Sequence, residues 1–201
     1  MNAWTAAWRD PRFRLRVFLT VPALVAALLV LARFLTWNEA RPGAVLRDPV
    51  LALLPPRDLT GLTFGLIYLG LAFGVARLAR EPRALVVALQ AYVLMVLFRI
   101  AAMAVTPLEP PPGMIPLHDP LVRLFGPGAL LTKDLFFSGH TSTLFLLACA
   151  VPGRQWKALF LVSTAAVGIS VLWQHVHYTI DVLAAPLFAY ASFRIAVLFD
   201  R

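Results

Sequence analysis

Six apolar stretches, separated by short polar segments, are the feature that most constrains the fold of this chain. About 20 consecutive apolar residues are enough for one membrane-spanning helix. Apolar residues make up 60% of the 201-residue sequence and charged residues only 14%, and a soluble domain of this size does not need so much apolar surface. The predicted helices cover Leu15–Trp37, Thr60–Ala79, Ala84–Val105, Phe137–Val151, Trp156–Trp173 and Tyr178–Phe199. The sequence therefore predicts an all-α integral membrane protein, in which residues 1–201 form a single domain of six transmembrane helices.

Arginine and lysine residues cluster in the segments that would lie on one side of this bundle. The N-terminal segment at residues 9–16 and the connection at residues 77–83 are rich in arginine. Cytoplasmic segments of membrane proteins carry an excess of these residues, so both termini are predicted to be cytoplasmic. The net charge of +8 is then a topology signal and an attraction to anionic lipid headgroups. We predict no nucleic-acid partner.

His177 and Asp181 stand four residues apart where the last predicted helix begins. At that spacing two side chains share one helix face, and an acid in an apolar span is costly unless it has a partner. A carboxylate that holds one imidazole nitrogen leaves the other nitrogen available as a nucleophile. The alternative is a polar pair that only fastens this helix to a neighbour, and the pair alone does not distinguish the two.

The sequence Phe137-Ser138-Gly139-His140-Thr141-Ser142 opens the fourth predicted helix. Ser138 is a typical N-cap residue, and Gly139 allows a ligand to approach the backbone closely. Free amides and the positive dipole end of a helix favour a phosphate group. His140 is then placed to donate a proton to a departing oxygen. The alternative is a well-capped helix that carries an interfacial histidine.

Three blocks of sequence carry a resemblance to a known family. In order, they are Phe98-Arg99 with Thr106-Pro107-Leu108 and Pro112-Gly113-Met114, then Asp134-Leu135-Phe136-Phe137-Ser138-Gly139-His140-Thr141, and then His175 through Val182. In these blocks, within residues 98–182, the chain resembles the type 2 phosphatidic acid phosphatase superfamily and, more closely, its sphingomyelin synthase branch. Six helices agree with this resemblance, and the topology predicted from the arginine and lysine residues places the active site on the non-cytoplasmic face.

The chain departs from the phosphatase branch at two motifs. That branch usually has a Lys…Arg-Pro motif upstream and a Ser-Arg pair before the final histidine. Here Val171 follows Ser170, and Lys133 is not followed by Arg-Pro. A phosphomonoester dianion needs a strong cationic clamp, whereas a phosphodiester with one negative charge needs less. The departures therefore favour transfer of a headgroup over simple hydrolysis of a lipid phosphate.

Two charged residues are further candidates for substrate binding. Arg99 lies six residues from the end of the third predicted helix, about 9 Å along its axis, where a charge should face a cavity or a carboxylate. It either binds the phosphate or forms an ion pair with Asp181 or Asp134. Asp134 resembles an acid of the synthase branch and could orient a histidine or assist the acceptor hydroxyl. Glu109 fits better as an ordinary loop acid.

The resemblance implies a two-step mechanism without a cofactor. His177 attacks phosphorus, Asp181 stabilises the imidazolium, and His140 protonates the leaving alcohol, which leaves a phosphohistidine. A phospholipid is the donor. A lipid hydroxyl as acceptor makes the enzyme a transferase, and water makes it a lipid phosphate phosphatase or a phospholipase C-type hydrolase. Ser138, Gly139, Arg99 and Asp134 are the predicted substrate-binding residues.

Two non-enzymatic functions compete with this interpretation. A membrane scaffold would keep the helices but would need none of the histidines. A transporter would place polar residues near the midplane, whereas here they cluster at one rim. His118 and His175 are not included in the catalytic set. We predict no metal site, because His175 and His177 have no third ligand at a suitable spacing.

Overall fold

The computed structural model describes residues 3–118 and 131–200. In these ranges the chain is helical, without a strand, and a short 3₁₀ helix covers Leu51–Leu53. The α-helices are α1 (Ala3–Ala7), α2 (Pro11–Glu39), α3 (Thr60–Leu78), α4 (Pro82–Val105), α5 (Gly139–Ala150), α6 (Arg154–Trp173) and α7 (Thr179–Phe199). The predicted all-α architecture agrees with this arrangement.

Five of these helices, α2, α3, α4, α6 and α7, are long and apolar enough to cross a membrane. The fourth predicted span corresponds to α5, which has 12 residues and is therefore about 18 Å long. The hydrocarbon core of a bilayer is about 30 Å thick. The described helices thus support a multi-pass membrane protein with five candidate spans, and α5 is a shorter helix held within the bundle.

The first long helix begins earlier than predicted. Although the arginine-rich residues before Leu15 resemble a polar tail, α2 starts at Pro11. Asp10 caps the helix, because its carboxylate accepts a hydrogen bond of 2.9 Å from the amide of Arg12. Proline at the first helical position and an acidic N-cap both favour a start at this point.

Small residues allow the helices to pack closely. Helix α4 packs between α2 and α7, while α5 packs on α6 and α7, and α3 lies against α5 and α6. On α3, an added Cβ at Gly70 or Gly74 would press on Leu144 or Leu147 of α5. On α7 the buried face is formed by Ala184, Ala185, Ala189 and Ala196. This pattern is typical of helix interfaces in membranes, where small residues bring the backbones together.

The bundle has two distinct ends. At the first end, which we call the terminal face, Arg83 pairs with Asp10 at 3.0 Å and Arg16 pairs with Asp200. At the opposite end, the site face, the amide of Ser138 donates to the carbonyl of Asp181 at 3.0 Å. The described start and end of the chain therefore lie together, on the side away from the residues of the candidate site.

Candidate active site

The best-defined polar contact at the site face joins His177 to Asp181. Nδ1 of His177 lies 3.2 Å from Oδ2 of Asp181, and both side chains are buried. The same carboxylate oxygen accepts a hydrogen bond of 3.1 Å from the amide of Tyr178. Asp181 therefore both caps the start of α7 and orients the imidazole of His177. Nε2 is the ring nitrogen of His177 that does not contact Asp181.

The two side chains meet for a different reason from the predicted one. His177 does not share a helix face with Asp181, because α7 begins only at Thr179. The chain turns at Tyr178, and Asp181 reaches back from the first turn of the helix. The pairing predicted from the spacing is present, whereas the helical explanation for it is wrong.

A second carboxylate, absent from the sequence prediction, completes the start of α7. Asp48, in the loop between α2 and α3, accepts a hydrogen bond of 2.6 Å from the amide of Thr179 and contacts the Thr179 hydroxyl at 3.0 Å. Burial opposes its ionisation, but the hydrogen bonds from Thr179, Leu51 and Val50 outweigh burial and lower the pKa of this carboxyl. Asp48 thus holds the loop between α2 and α3 against the helix that carries Asp181.

Asp48→Ala is expected to lower the free energy of unfolding by about 1 kcal/mol at neutral pH, the usual loss for a helix cap. Because folding lowers the pKa of Asp48, its ionised form adds stability above the unfolded-state pKa of about 3.9, and this contribution disappears as the pH falls through the lower folded-state pKa. Thermal unfolding in detergent should therefore show a gap between wild type and variant that narrows in acid. A gap that widens in acid would contradict this. Asp48→Asn, which keeps the acceptor oxygen, should lose less stability.

The start of α5 is built as predicted around Ser138. This buried hydroxyl accepts hydrogen bonds from the amide of Thr141 at 3.4 Å and from its hydroxyl at 3.1 Å. The preceding Phe136 and Phe137 have positive φ angles of 65° and 36°, which are uncommon for bulky residues. Phe137 is held by stacking on Phe188, with ring centroids 4.6 Å apart. Packing thus fixes the conformation of the backbone just before α5, the helix that carries His140.

Gly139 is required for a reason that the sequence did not reveal. A Cβ at this position would overlap the guanidinium of Arg99. The predicted close approach to the Gly139 backbone therefore exists, but a protein cation from α4 makes it. Arg99 brings positive charge directly beside the N-terminus of α5, where an anion is favoured.

Arg99 pairs with Asp134, one of the two partners predicted for it. Nη2 of Arg99 lies 2.5 Å from Oδ2 of Asp134. Nε of Arg99 and Oδ1 of Asp134 are buried and have no hydrogen-bond partner among residues 3–118 and 131–200. Because such groups are costly to leave unsatisfied, this ion pair has capacity for a further polar ligand.

One cavity of about 430 Å³ begins at these groups. Its polar end is lined by Arg99, Asp134, Gly139 and His140. The rings of His140 and Phe64 are nearly perpendicular, with centroids 5.9 Å apart. The structure therefore brings four of the seven predicted site residues to one cavity end. Ser138, in turn, binds the backbone of Asp181 and so links this group to the His177–Asp181 pair.

Two other polar residues near the site, Glu109 and His175, have structural contacts. Glu109 binds Lys133 Nζ at 2.8 Å and the Gly43 amide at 2.9 Å, as expected of a loop acid. The ring nitrogens of His175 each lie 2.9 Å from a carbonyl oxygen, one of Pro112 and one of Leu54. His175 thus crosslinks two loops. In the part of the chain that the structure describes, no group of three or more His, Cys, Asp or Glu residues could hold a metal ion.

Comparison with known proteins adds one match. Residues 133–197 match the family model for the PAP2 superfamily C-terminal domain. This match supports the type 2 phosphatidic acid phosphatase superfamily. It includes the segments that carry His140, His177 and Asp181 and excludes Arg99. No curated protein and no solved structure matches the chain. The family match supports an enzyme of the phosphatase or phosphotransferase type and does not reach the level of a branch.

Proposed function

We propose that this protein is a membrane lipid phosphotransferase of the sphingomyelin synthase type, which moves a phospho-headgroup from a phospholipid to a lipid hydroxyl. The observation that carries the proposal is the buried 3.2 Å contact between His177 Nδ1 and Asp181 Oδ2. A carboxylate that orients a histidine in this way fixes its tautomer and leaves the other ring nitrogen able to act as a nucleophile. The backbone hydrogen bond from Ser138 to Asp181 supports a single site that contains both the His177–Asp181 pair and His140.

In the first step, Nε2 of His177 forms a bond to phosphorus while the bond from phosphorus to the glycerol oxygen breaks. His140 gives its proton to that oxygen, and Asp181 stabilises the positive charge on His177. In the second step, the acceptor hydroxyl loses its proton to His140 and attacks phosphorus. The bond to His177 breaks, and both histidines return to their starting states.

The charge around the phosphate favours a diester substrate. Among the residues that the structure describes, Arg99 is the candidate cation, and Asp134 already neutralises part of its charge. One partly neutralised arginine suits a phosphodiester monoanion better than a phosphomonoester dianion. Gly139 lets the guanidinium of Arg99 lie beside the N-terminus of α5, which Ser138 caps, so that the guanidinium and the helix end can act together on one phosphoryl oxygen. The arginine-rich segments support a topology in which this site opens on the non-cytoplasmic face and both termini are cytoplasmic.

The test is a transfer assay in vesicles with phosphatidylcholine labelled in its headgroup and ceramide or diacylglycerol as acceptor. We expect the label to move to the acceptor lipid, with phosphatidylethanolamine as a second donor to define headgroup preference. Release of water-soluble phosphocholine without labelled lipid product would instead identify a phospholipase C-type hydrolase. Turnover of phosphatidic acid alone would identify a phosphatase.

Transfer is expected to survive chelation. A histidine nucleophile needs no metal-bound water, and the described residues provide no three-ligand set. The measurement is the transfer rate before and after dialysis against EDTA, with a zinc-dependent phospholipase in the same vesicles as the control that loses activity. Loss of transfer that added zinc or magnesium restores would contradict metal independence.

A further inference from the structure

The cavity that begins at His140 and Arg99 continues deep into the bundle. On α3 its lining runs from Phe64 to Leu78, and on α4 from Arg99 to Leu85. The two ends of each stretch are 14 residues apart, which is about 21 Å at the helical rise. One leaflet of the hydrocarbon core is about 15 Å thick. The cavity is therefore long enough for an extended acyl chain, and we call it the chain groove.

The chain groove changes character along its length. The charged residues and His140 are confined to one end, at Arg99 and Asp134, and below them most of the lining is aliphatic or aromatic, with polar groups only on Tyr68, Tyr92 and Thr143. Its deep end lies between Leu78 of α3 and Leu85 of α4, just before the connection that joins these helices. A volume of about 430 Å³ is typical of a site for one small ligand or one chain. It does not hold a whole diacyl lipid.

The chain groove is open along one side. Leu28 of α2 is 41% exposed, and Leu71 and Val75 of α3 are 44% and 46% exposed, although all three line the groove. The opposite wall is buried and includes Met95 and Leu147. Both α2 and α3 line the groove, although α2 packs mainly on α4, and α3 packs mainly on α5 and α6. A lipid chain can therefore enter sideways from the bilayer.

We propose that the chain groove holds an acyl chain of the phospholipid donor, and that its deep end beside Val75 and Leu78 limits the length of chain accepted. This inference rests on the proposed function. His140, and not His177, lines the groove, and His140 protonates the leaving alcohol in the proposed mechanism. The leaving alcohol is the glycerol part of the donor, which carries the acyl chains. The groove therefore lies on the leaving-group side of phosphorus.

The test fills the groove without disturbing the core. Val75→Trp places a large ring at the deep end, and Leu71→Trp places one a helical turn closer to His140. Leu69→Trp is the matched control, because Leu69 lies on the same helix, is 59% exposed and does not line the groove. Purified variants in mixed micelles are assayed with dioctanoyl, dilauroyl and dipalmitoyl phosphatidylcholine, with the same acceptor throughout.

Val75→Trp is expected to lower kcat/KM for the dipalmitoyl donor by about tenfold or more, while the dioctanoyl donor is used as by the Leu69→Trp control. The reason is that a blocked chain lifts the phosphate from His177, and a misplacement of about 1 Å can reduce the rate about 10²-fold. Leu71→Trp should also reject the dilauroyl donor. Unchanged chain selectivity, or equal loss with all three donors, would overturn the groove assignment.

Two further outcomes separate the possible failures. If Val75→Trp alters selectivity for the chain of the acceptor but not of the donor, the groove belongs to the acceptor and the inference is wrong. If the wild-type protein turns over no phospholipid of any length, the proposed function itself fails. Wild-type transfer with chain selectivity that no groove variant alters would overturn the groove assignment alone.

Discussion

His177→Ala is expected to abolish both transfer and hydrolysis, because both reactions pass through a covalent intermediate on Nε2 in the proposed mechanism. The loss should be the same for every donor and acceptor, including activated esters. The measurement is turnover of headgroup-labelled phosphatidylcholine and of a nitrophenyl phosphodiester by purified variants. Acid-labile, base-stable labelling of the wild-type protein, absent in His177→Ala, would identify the phosphohistidine directly.

Asp181→Asn tests the same assignment through the orienting carboxylate. In a Ser-His-Asp triad the equivalent change leaves the geometry intact and lowers the rate about 10⁴-fold, because the imidazole takes the wrong tautomer. Asp181 also caps α7 through its side chain, so stability must be measured in parallel. Asp48→Asn is the matched control, since Asp48 caps the same helix start and has no role in the proposed mechanism. A rate loss in Asp48→Asn as large as that in Asp181→Asn would indicate a structural effect.

The features that the sequence predicts correctly involve residues that are close together along the chain. Helix positions follow from local apolar runs, and His177 meets Asp181 because four residues leave little freedom. The Ser138 cap likewise depends on Thr141, three residues away. These contacts are determined by local backbone geometry, so a reader of the sequence alone can place them.

The parts that the sequence leaves open depend on contacts between distant segments. Arg99 had two carboxylate candidates, and only the packing of α4 beside residue 134 selects Asp134. Asp48 lies 131 positions from Thr179, and its loop sequence carries no signal for that contact. The space beside Gly139 is filled by Arg99 rather than left for a ligand. The chain groove depends on a gap between α2 and α3, which no local pattern encodes.

His140→Ala is expected to lower turnover of the natural type of donor by about 10²–10⁴-fold, the usual contribution of a general acid. The loss should be much smaller with a nitrophenyl leaving group, because nitrophenolate departs without a proton. This dependence on the leaving group distinguishes proton donation from a role in binding or folding. The measurement is the ratio of the two turnover rates in each variant.

The control for His140→Ala removes the neighbouring ring contact instead of the imidazole. Phe64→Leu removes the ring contact with His140 and keeps the imidazole. Because Phe64 also lines the chain groove, its loss on the natural type of donor should be in KM, whereas the loss in His140→Ala should be in kcat. If His140 is the general acid and His177 the nucleophile, His177→Ala must also be inactive on the nitrophenyl ester, because that substrate still needs a nucleophile. Equal losses on both substrates for His140→Ala, together with an active His177→Ala on the ester, would reverse the two roles and make His140 the nucleophile.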